Sequence, residues 1–520
     1  MKQKRYIMAG LLGIALSSSA AAEGFKTKSS YDYANATQLW KGSTTVAGIT
    51  RDSISEQGVT YFKLYRTEGS HRRVQEGDAV NQLTFFSESY KKIGKYLYGY
   101  GKVEFDMGRQ FNRAWSDVYR SYNANPYFSG SNIPGKYDNQ DFRLSASVAS
   151  IDLGGFTYGC LLEYNVGDLS RLKDPRSRTN LAEYQIAPSI TFQLNGHIFG
   201  GSAFYHRRKE KIPNITTVQT DPNLKYYQMT GMEHAEGGTG IYNAFERQFV
   251  HHEFGGEITY SYQYGQYRTL NTVGLKRGHE NVNGDMMYSP GKLFTSFYHI
   301  QSAHLFHTSS KIHRFELAGS LQQDYADEYR QEKVTEKNPE TGIESSRWET
   351  LLTYHKRYKI EVLKLSADYR MYWKKTPSSR EVKGYIGGKI QYEQASNKFS
   401  LPDSELGYRF MDVSIDGGYG WEFRKHRSLW LEGKFGYLMT FKTNLTLSDT
   451  STDYAQQVLI PDMKYYSSSV FHADLAVQYN FFLKGRKLLI PLFARAEGGI
   501  QKTNRSTFNK GFGVAVGIYY

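Results

Sequence analysis

The sequence predicts an all-β protein, a transmembrane antiparallel β-barrel of about 18 strands (roughly 14–18), with short periplasmic turns and long extracellular loops. Three observations carry this. Gly511–Tyr520 (GFGVAVGIYY) alternates strictly, with Phe512, Val514, Val516, Ile518 and Tyr520 on one face. A period of two over that length is a strand, and its one broad apolar face suits a stave turned to lipid. Short and long connectors take turns along most of the chain. The 43 Tyr, 30 Phe and 6 Trp make up 15% of the residues, and Tyr and Trp favour the two membrane–water interfaces.

Taken in order, residues 1–22 read as a secretory signal peptide. Lys2, Lys4 and Arg5 precede an apolar run over Tyr6–Leu16, and Ala20-Ala21-Ala22 offers a small-residue cleavage site. Residues 23–57 show no strand period, and are expected to form either a periplasmic arm or an insert inside the barrel. Residues 58–520 are the barrel. Alternation starts near Gly58–Arg66. Short turns are expected near Lys92–Lys95, Asp152–Gly154, Asn195-Gly196, Tyr264–Tyr267, His307–Lys311, Lys375–Arg380, Arg424–Arg427 and Lys484–Arg486. Asn195-Gly196 is the sharpest, because both residues tolerate positive φ. Long connectors are expected at Thr67–Ala79, Gly108–Gln140, Val166–Ala182, Lys209–His252, Lys276–Lys292, Ala326–Tyr358, Ser396–Arg409, Asn444–Ser469 and Gly498–Lys510. A soluble sandwich supplies strands, but it does not explain this rhythm.

After the leader no apolar run is long enough for a transmembrane helix. The mean hydropathy of −0.59 says little about a barrel, whose lipid-facing and lumen-facing residues alternate. The single Cys160 excludes an intrachain disulfide framework. Net charge is +14, or +11 without the three basic leader residues. In an exported barrel that balance points to anionic headgroups or an anion-leaning lumen. No zinc-knuckle or helix-turn-helix pattern supports nucleic acid.

The terminal strand also sets a phase. Carried back along the chain, it turns Arg314, Glu316, Lys364, Asp368, Arg370, Lys389, Asp412, Asp416, Glu432, Lys434, Asp474, Arg495 and Glu497 into the lumen. An ionised side chain on the lipid face costs about 2–4 kcal/mol at midplane, so the inward assignment is the cheap one. Such a lining is either a polar pathway or a set of ion-pair braces. His251-His252-Glu253, His299, His304, His307 and His313, and Met229, Met232 and His234, carry donor atoms that suit a metal. They lack tight ligand spacing, so no metal and no cofactor is expected. No G-x-S-x-G elbow occurs, and Gly201-Ser202-Ala203 lies in a regular strand; the protein is not expected to be an enzyme.

The leader, the alternating staves, the high Tyr content and the terminal GFGVAVGIYY together resemble an uncharacterised outer-membrane β-barrel family of Bacteroidota, of about 500 residues and without a plug domain. The terminal decapeptide is similar to the strand that the barrel assembly machinery reads. TonB-dependent receptors are similar in class but carry a large plug domain, and fatty-acid-type barrels have an apolar pocket. The resemblance implies residence in the outer membrane of a Gram-negative bacterium, with lipids and the assembly machinery as partners. The expected function is a passive channel or binding pathway for a polar solute, compatible with a surface or periplasmic partner protein. The alternative is an interaction barrel whose long loops Gly108–Gln140, Lys209–His252 and Ala326–Tyr358 bind a surface partner; a barrel-embedded hydrolase ranks third.

Overall fold

The structure is a computed structural model that describes residues 26–52, 56–218, 224–239, 245–337, 339–424, 427–484 and 489–520. The expected signal peptide, residues 1–22, lies outside the described residues.

Eighteen antiparallel strands close into a transmembrane barrel. In chain order they are β1 (Gln57–Gly69), β2 (Ala79–Ile93), β3 (Leu97–Arg113), β5 (Gly135–Ser150), β6 (Phe156–Arg171), β7 (Arg176–Leu194), β8 (His197–Ile212), β12 (Arg247–Tyr264) and β13 (Tyr267–Gly284). The second half comprises β14 (Gly291–His307), β15 (Lys311–Lys337), β16 (Glu344–Lys374), β17 (Val382–Phe399), β18 (Ser404–Arg424), β19 (Arg427–Thr446), β20 (Val470–Lys484), β21 (Leu489–Thr503) and β22 (Phe508–Tyr519). Four short strands, β4 (Ser129–Gly130), β9 (Ile215–Thr216), β10 (Lys225–Gly231) and β11 (His234–Thr239), lie in the connectors of the loop end. Closure is made by β22, which pairs with β21 and with β1. In that register Val514 faces Leu64 and Val516 faces Phe62. Among the described residues, the barrel's eighteen staves then each have two neighbours, so the barrel wall offers no open edge.

The alternation does what its period requires. Phe512, Val514 and Val516 stand outside, 60%, 41% and 59% exposed. Ile186, Ile190, Ile258, Val273, Ile300, Ile386, Ile390 and Ile415 lie exposed on the other staves. An apolar belt of this extent is stable only against lipid. Tyr96, Tyr264, Trp421 and Phe423 are exposed near the short turns, at one rim of the belt. Cys160, opposite Val148, shares this outer face.

The short turns near Lys92–Lys95, Asp152–Gly154, Asn195-Gly196, Tyr264–Tyr267, His307–Lys311 and Lys375–Arg380 fall where the sequence places them, and Asn195 and Gly196 both take positive φ; those expected at Arg424–Arg427 and Lys484–Arg486 lie partly outside the described residues. The long connectors differ. Much of Val166–Ala182, Lys276–Lys292, Ser396–Arg409 and Gly498–Lys510 is paired strand. Ala326–Tyr358 is mainly a two-stranded hairpin in which β15 and β16 run on together, with a register shift between Ala326 and Glu328. Polar strands beyond the apolar belt lack a one-sided hydrophobic pattern, and so read as loop.

Candidate functional site

The interior is built in three layers. At the short-turn end, residues 26–52 enter the lumen. Helix α1 (Lys28–Thr37) starts at Thr27, whose hydroxyl accepts from Ser30 N while Ser30 Oγ accepts from Thr27 N, a reciprocal cap. A 3₁₀ turn over Val46–Arg51 follows. The chain between them carries Trp40, 1% exposed, packed with Leu39 against Leu270, Leu305, Ile312, Val382 and Trp430 of the wall. Burying a side chain of this size is worth at least about 1.5–3 kcal/mol. The fit needs glycine at 48, because a Cβ there would lie 2.0 Å from Trp40 Cε3.

Polar contacts tie this segment to many staves. Lys28 Nζ lies 2.9 Å from Glu432 and 3.0 Å from Asp32. Arg314 donates from Nη1 to the carbonyls of Asn35 and Gln38, at 2.9 and 2.8 Å. Asp52 Oδ1 accepts from Arg268, at 2.6 Å. Its Oδ2 accepts from the N–H groups of Leu39 and Trp40. Lys41 pairs with Glu88 and Arg51 with Asp152. Ala47 N donates to Ser189 Oγ, and Ser202 Oγ lies 2.7 Å from Thr44 Oγ1. The segment therefore bridges the lumen from β2 to β19.

The loop end is closed differently. Residues 114–134, the β10–β11 hairpin and the helical stretch Ala455–Tyr466, which includes α2 (Ile460–Tyr466), fold inward. They make a dry core in which Trp115, Tyr127, Tyr226, Met229, Tyr454 and Val458 pack on inward-facing Phe249, Val282, Leu293, Ile360 and Val362. Asp462, in the first turn of α2, is buried, with Oδ1 accepting from Val74 N at 2.7 Å. Burial pushes its carboxyl up to about 7, against the opposing pull of that N–H and of Arg73. Burial also acts to raise Glu233, in the turn between β10 and β11, but hydroxyls of Ser404 and Ser448 hold it below the usual carboxylate value.

Between plug and lid lie two adjoining cavities of about 920 and 720 Å³ that share Lys102, Ser145, Glu163, Gln185, Lys276 and Phe297. The outer one is lined by mixed charge. His206 sits 2.8 Å from Glu183 and 3.5 Å from Glu253. Arg208 donates to Glu280 at 2.5 Å, and Asn125 of the lid reaches the same carboxylate at 2.8 Å. The inner one is lined by Trp40, Lys41, Tyr100, Glu257, His299, Lys364 and Lys389, among others.

The residues expected in the lumen occupy different parts of it. Arg314 and Glu432 hold the plug, and Arg495 pairs with Glu432 and Glu497. Lys364 and Lys389 line the inner cavity. Glu316 pairs with Arg314, and Arg370 lies 3.1 Å from Asp416 and 4.0 Å from Asp368. Asp412 accepts from His472 at 2.8 Å, while Lys434 faces Asp416 and Asp474 across the sheet. Most of these are wall braces; only Lys364 and Lys389 line either cavity. Sequence reasoning missed Lys102, Glu163, Glu183, His206, Arg208 and Lys276, which line the cavities. Each follows from the same parity, had it been carried through β3, β6, β7, β8 and β13.

The histidines go to other partners. His299 pairs with Glu257, His304 with Tyr267, His313 with Tyr369, and His251 lies 3.1 Å from Thr295. Met229 and Met232 are in the lid core, and His234 packs at a tilt on Phe399. Among the described residues, no three His, Cys, Asp or Glu side chains converge as a metal site. Gly108–Gln140 and Lys209–His252, expected as long exterior loops, are strand at both ends, and most of their other described residues fold into the lid, where their aromatic residues bury against apolar wall.

The model of a family of unknown function (DUF6850) matches residues 46–520. No curated protein matches the sequence. Among solved structures, the chain is similar to the FrpB iron transporter from Neisseria meningitidis, at 8% identity and a TM-score of 0.38, covering 89% of this chain and 81% of that one. The outer membrane transporter YddB from Escherichia coli gives 8% identity, a TM-score of 0.37, and 89% and 81% coverage. BauA, the ferric preacinetobactin receptor from Acinetobacter baumannii, gives 10%, 0.37, and 89% and 80%.

Proposed function

The chain belongs to this family of unknown function, and from that premise we propose that it is a non-catalytic barrel of a Gram-negative outer membrane that takes a polar solute into its lumen. The observation that carries the reading is the pair of charged cavities held between an inward-folded lid and a lumen-spanning plug. Together they offer room for a small organic solute. The exposed apolar belt and the closed sheet support membrane residence, with the strand 511–520 as the segment offered to the assembly machinery. The plug's many wall contacts favour a gated binding pathway over a standing passive channel.

Planar bilayers test this. The full chain should conduct little, and releasing the plug by Arg314→Ala together with Asp52→Ala should raise the open fraction severalfold. Large steady conductance in the unaltered chain, or none after release, would sink the gated pathway.

A second reading, partner capture, is favoured by the projecting β15–β16 hairpin, where Ile343 and Leu351 are 67% and 66% exposed. If it holds, replacing both with Ser should abolish partner binding and leave conductance unchanged.

A further inference from the structure

The inner cavity is unevenly charged. Its lining includes five lysines (Lys41, Lys102, Lys276, Lys364 and Lys389) against two carboxylates, Glu163 and Glu257. Glu257 is already engaged. It accepts from Ser43 Oγ and Thr44 N, both at 3.3 Å, and pairs with His299 Nε2 at 3.0 Å. Lys41 is paired with Glu88, Lys364 lies 3.1 Å from Glu393, and Lys102 lies 3.7 Å from Glu104. For Lys276 and Lys389 no carboxylate comes within 4.0 Å among the described residues, although Asp368 stands opposite Lys389 across the sheet and Glu253 lies within electrostatic reach of Lys276. The Lys276 ammonium sits 5.1 Å and 5.8 Å from the ring centroids of Phe204 and Phe297, contacts that position it without neutralising it. The outer cavity, by contrast, nearly balances arginine and lysine against aspartate and glutamate.

We infer that the inner cavity is an anion site, with Lys276 and Lys389 as its principal charges. This rests on the solute-chamber reading and narrows its ligand class. An excess of positive over negative side chains in a confined lumen with low-dielectric walls focuses the field and concentrates anions. The remaining lining is rich in hydroxyl and amide groups, such as Ser145, Ser147, Gln185 and Gln391, with the half-buried Tyr100 ring beside them. Such a surface matches the hydroxyls and flat faces of a sugar. The chemistry is therefore that of a small polyhydroxylated anion, its charge carried by carboxylate or phosphate. Lysine accepts either as a point charge, without the bidentate geometry that would select between them.

Calorimetric titration of the full chain in lipid nanodiscs tests the assignment with four probes: glucose, glucuronate, glucose 6-phosphate and inorganic phosphate. Both charged sugars should bind at least tenfold more tightly than glucose, and should weaken as salt is raised. Inorganic phosphate should bind more weakly than glucose 6-phosphate; phosphate binding as tightly would overturn the sugar part of the assignment. The double substitution Lys276→Gln, Lys389→Gln should cost the charged sugars at least tenfold, and Lys276→Arg, Lys389→Arg should restore binding. Glucose binding as well as the anions, with the Gln pair without effect, would overturn the anion site while leaving a solute chamber in place. Binding of no probe by the unaltered chain would count against the chamber reading itself, and the anion site with it.

Discussion

Asp52 is one of the side chains that fasten the plug to the wall. It is buried, and its two oxygens hold Arg268 and two backbone N–H groups. Asp52→Ala leaves the largely buried Arg268 guanidinium with only the Arg51 carbonyl, and two amides without their carboxylate, a loss of about 3–5 kcal/mol when one half of a buried pair is removed. The loss falls on the plug, not the barrel. Amide exchange over residues 28–52 should accelerate by two orders of magnitude or more, while that of β12–β14 stays as it was. Asp462 is the residue to titrate. Its carboxyl, buried beneath Tyr454 and Tyr466 and facing Arg72, Arg73 and Glu76, is raised to about 7 from 3.8. A folded value above the free one means that the docked lid binds the proton more tightly than the released lid. Docking is therefore strongest below about pH 4, weakens as pH rises to 7, and changes no further above it. Exchange at residues 455–466, corrected for intrinsic rates, should rise across that window. Asp462→Asn should flatten the profile, and a profile left unchanged by that substitution would remove Asp462 as its cause.

Among the elements, lid and hairpin should respond in opposite ways. Trp115 packs at a tilt on Tyr227 and meets Tyr454 edge-on, at 1% exposure. Trp115→Ala should cost about 3–5 kcal/mol of lid docking, seen as protease cleavage within residues 114–134 at concentrations that leave the unaltered protein intact. Deleting residues 332–349 removes an exposed hairpin tip. It should leave the unfolding temperature of the barrel within about 2 °C, since surface changes away from packed features are nearly neutral. Legibility in sequence divided along the same line. Lid and plug pack on inward-phase Phe249, Val282, Leu305, Ile312 and Val382. In sequence, such residues look like alternation lost at strand ends. Their partners lie hundreds of positions away, as with Ser29 and Val382, and no local period encodes a contact of that range.

At the scale of the whole molecule, everything depends on closure. The β22 strand satisfies two neighbours at once, so removing residues 511–520 exposes two edges in lipid, each unpaired backbone group costing several kcal/mol. The truncated chain should show no heat-modifiable migration on gels and should not accumulate in the membrane fraction. A shift in migration like that of the intact chain would show that β22 is dispensable.

The amino-acid sequence by itself determined the barrel, bounded its strand number at about 14–18 and set an inward phase for its charged residues. Those rest on a period of two and on the cost of charge in lipid, which act residue by residue. Arg314, Glu432 and Lys389 could be turned inward on that basis alone. What each then does was decided by the tertiary structure: Arg314 and Glu432 grip the plug, and Lys389 faces a cavity. The difference is physical. Facing follows from local geometry, whereas function in a lumen depends on which side chains meet across it, and only the closed sheet sets those distances.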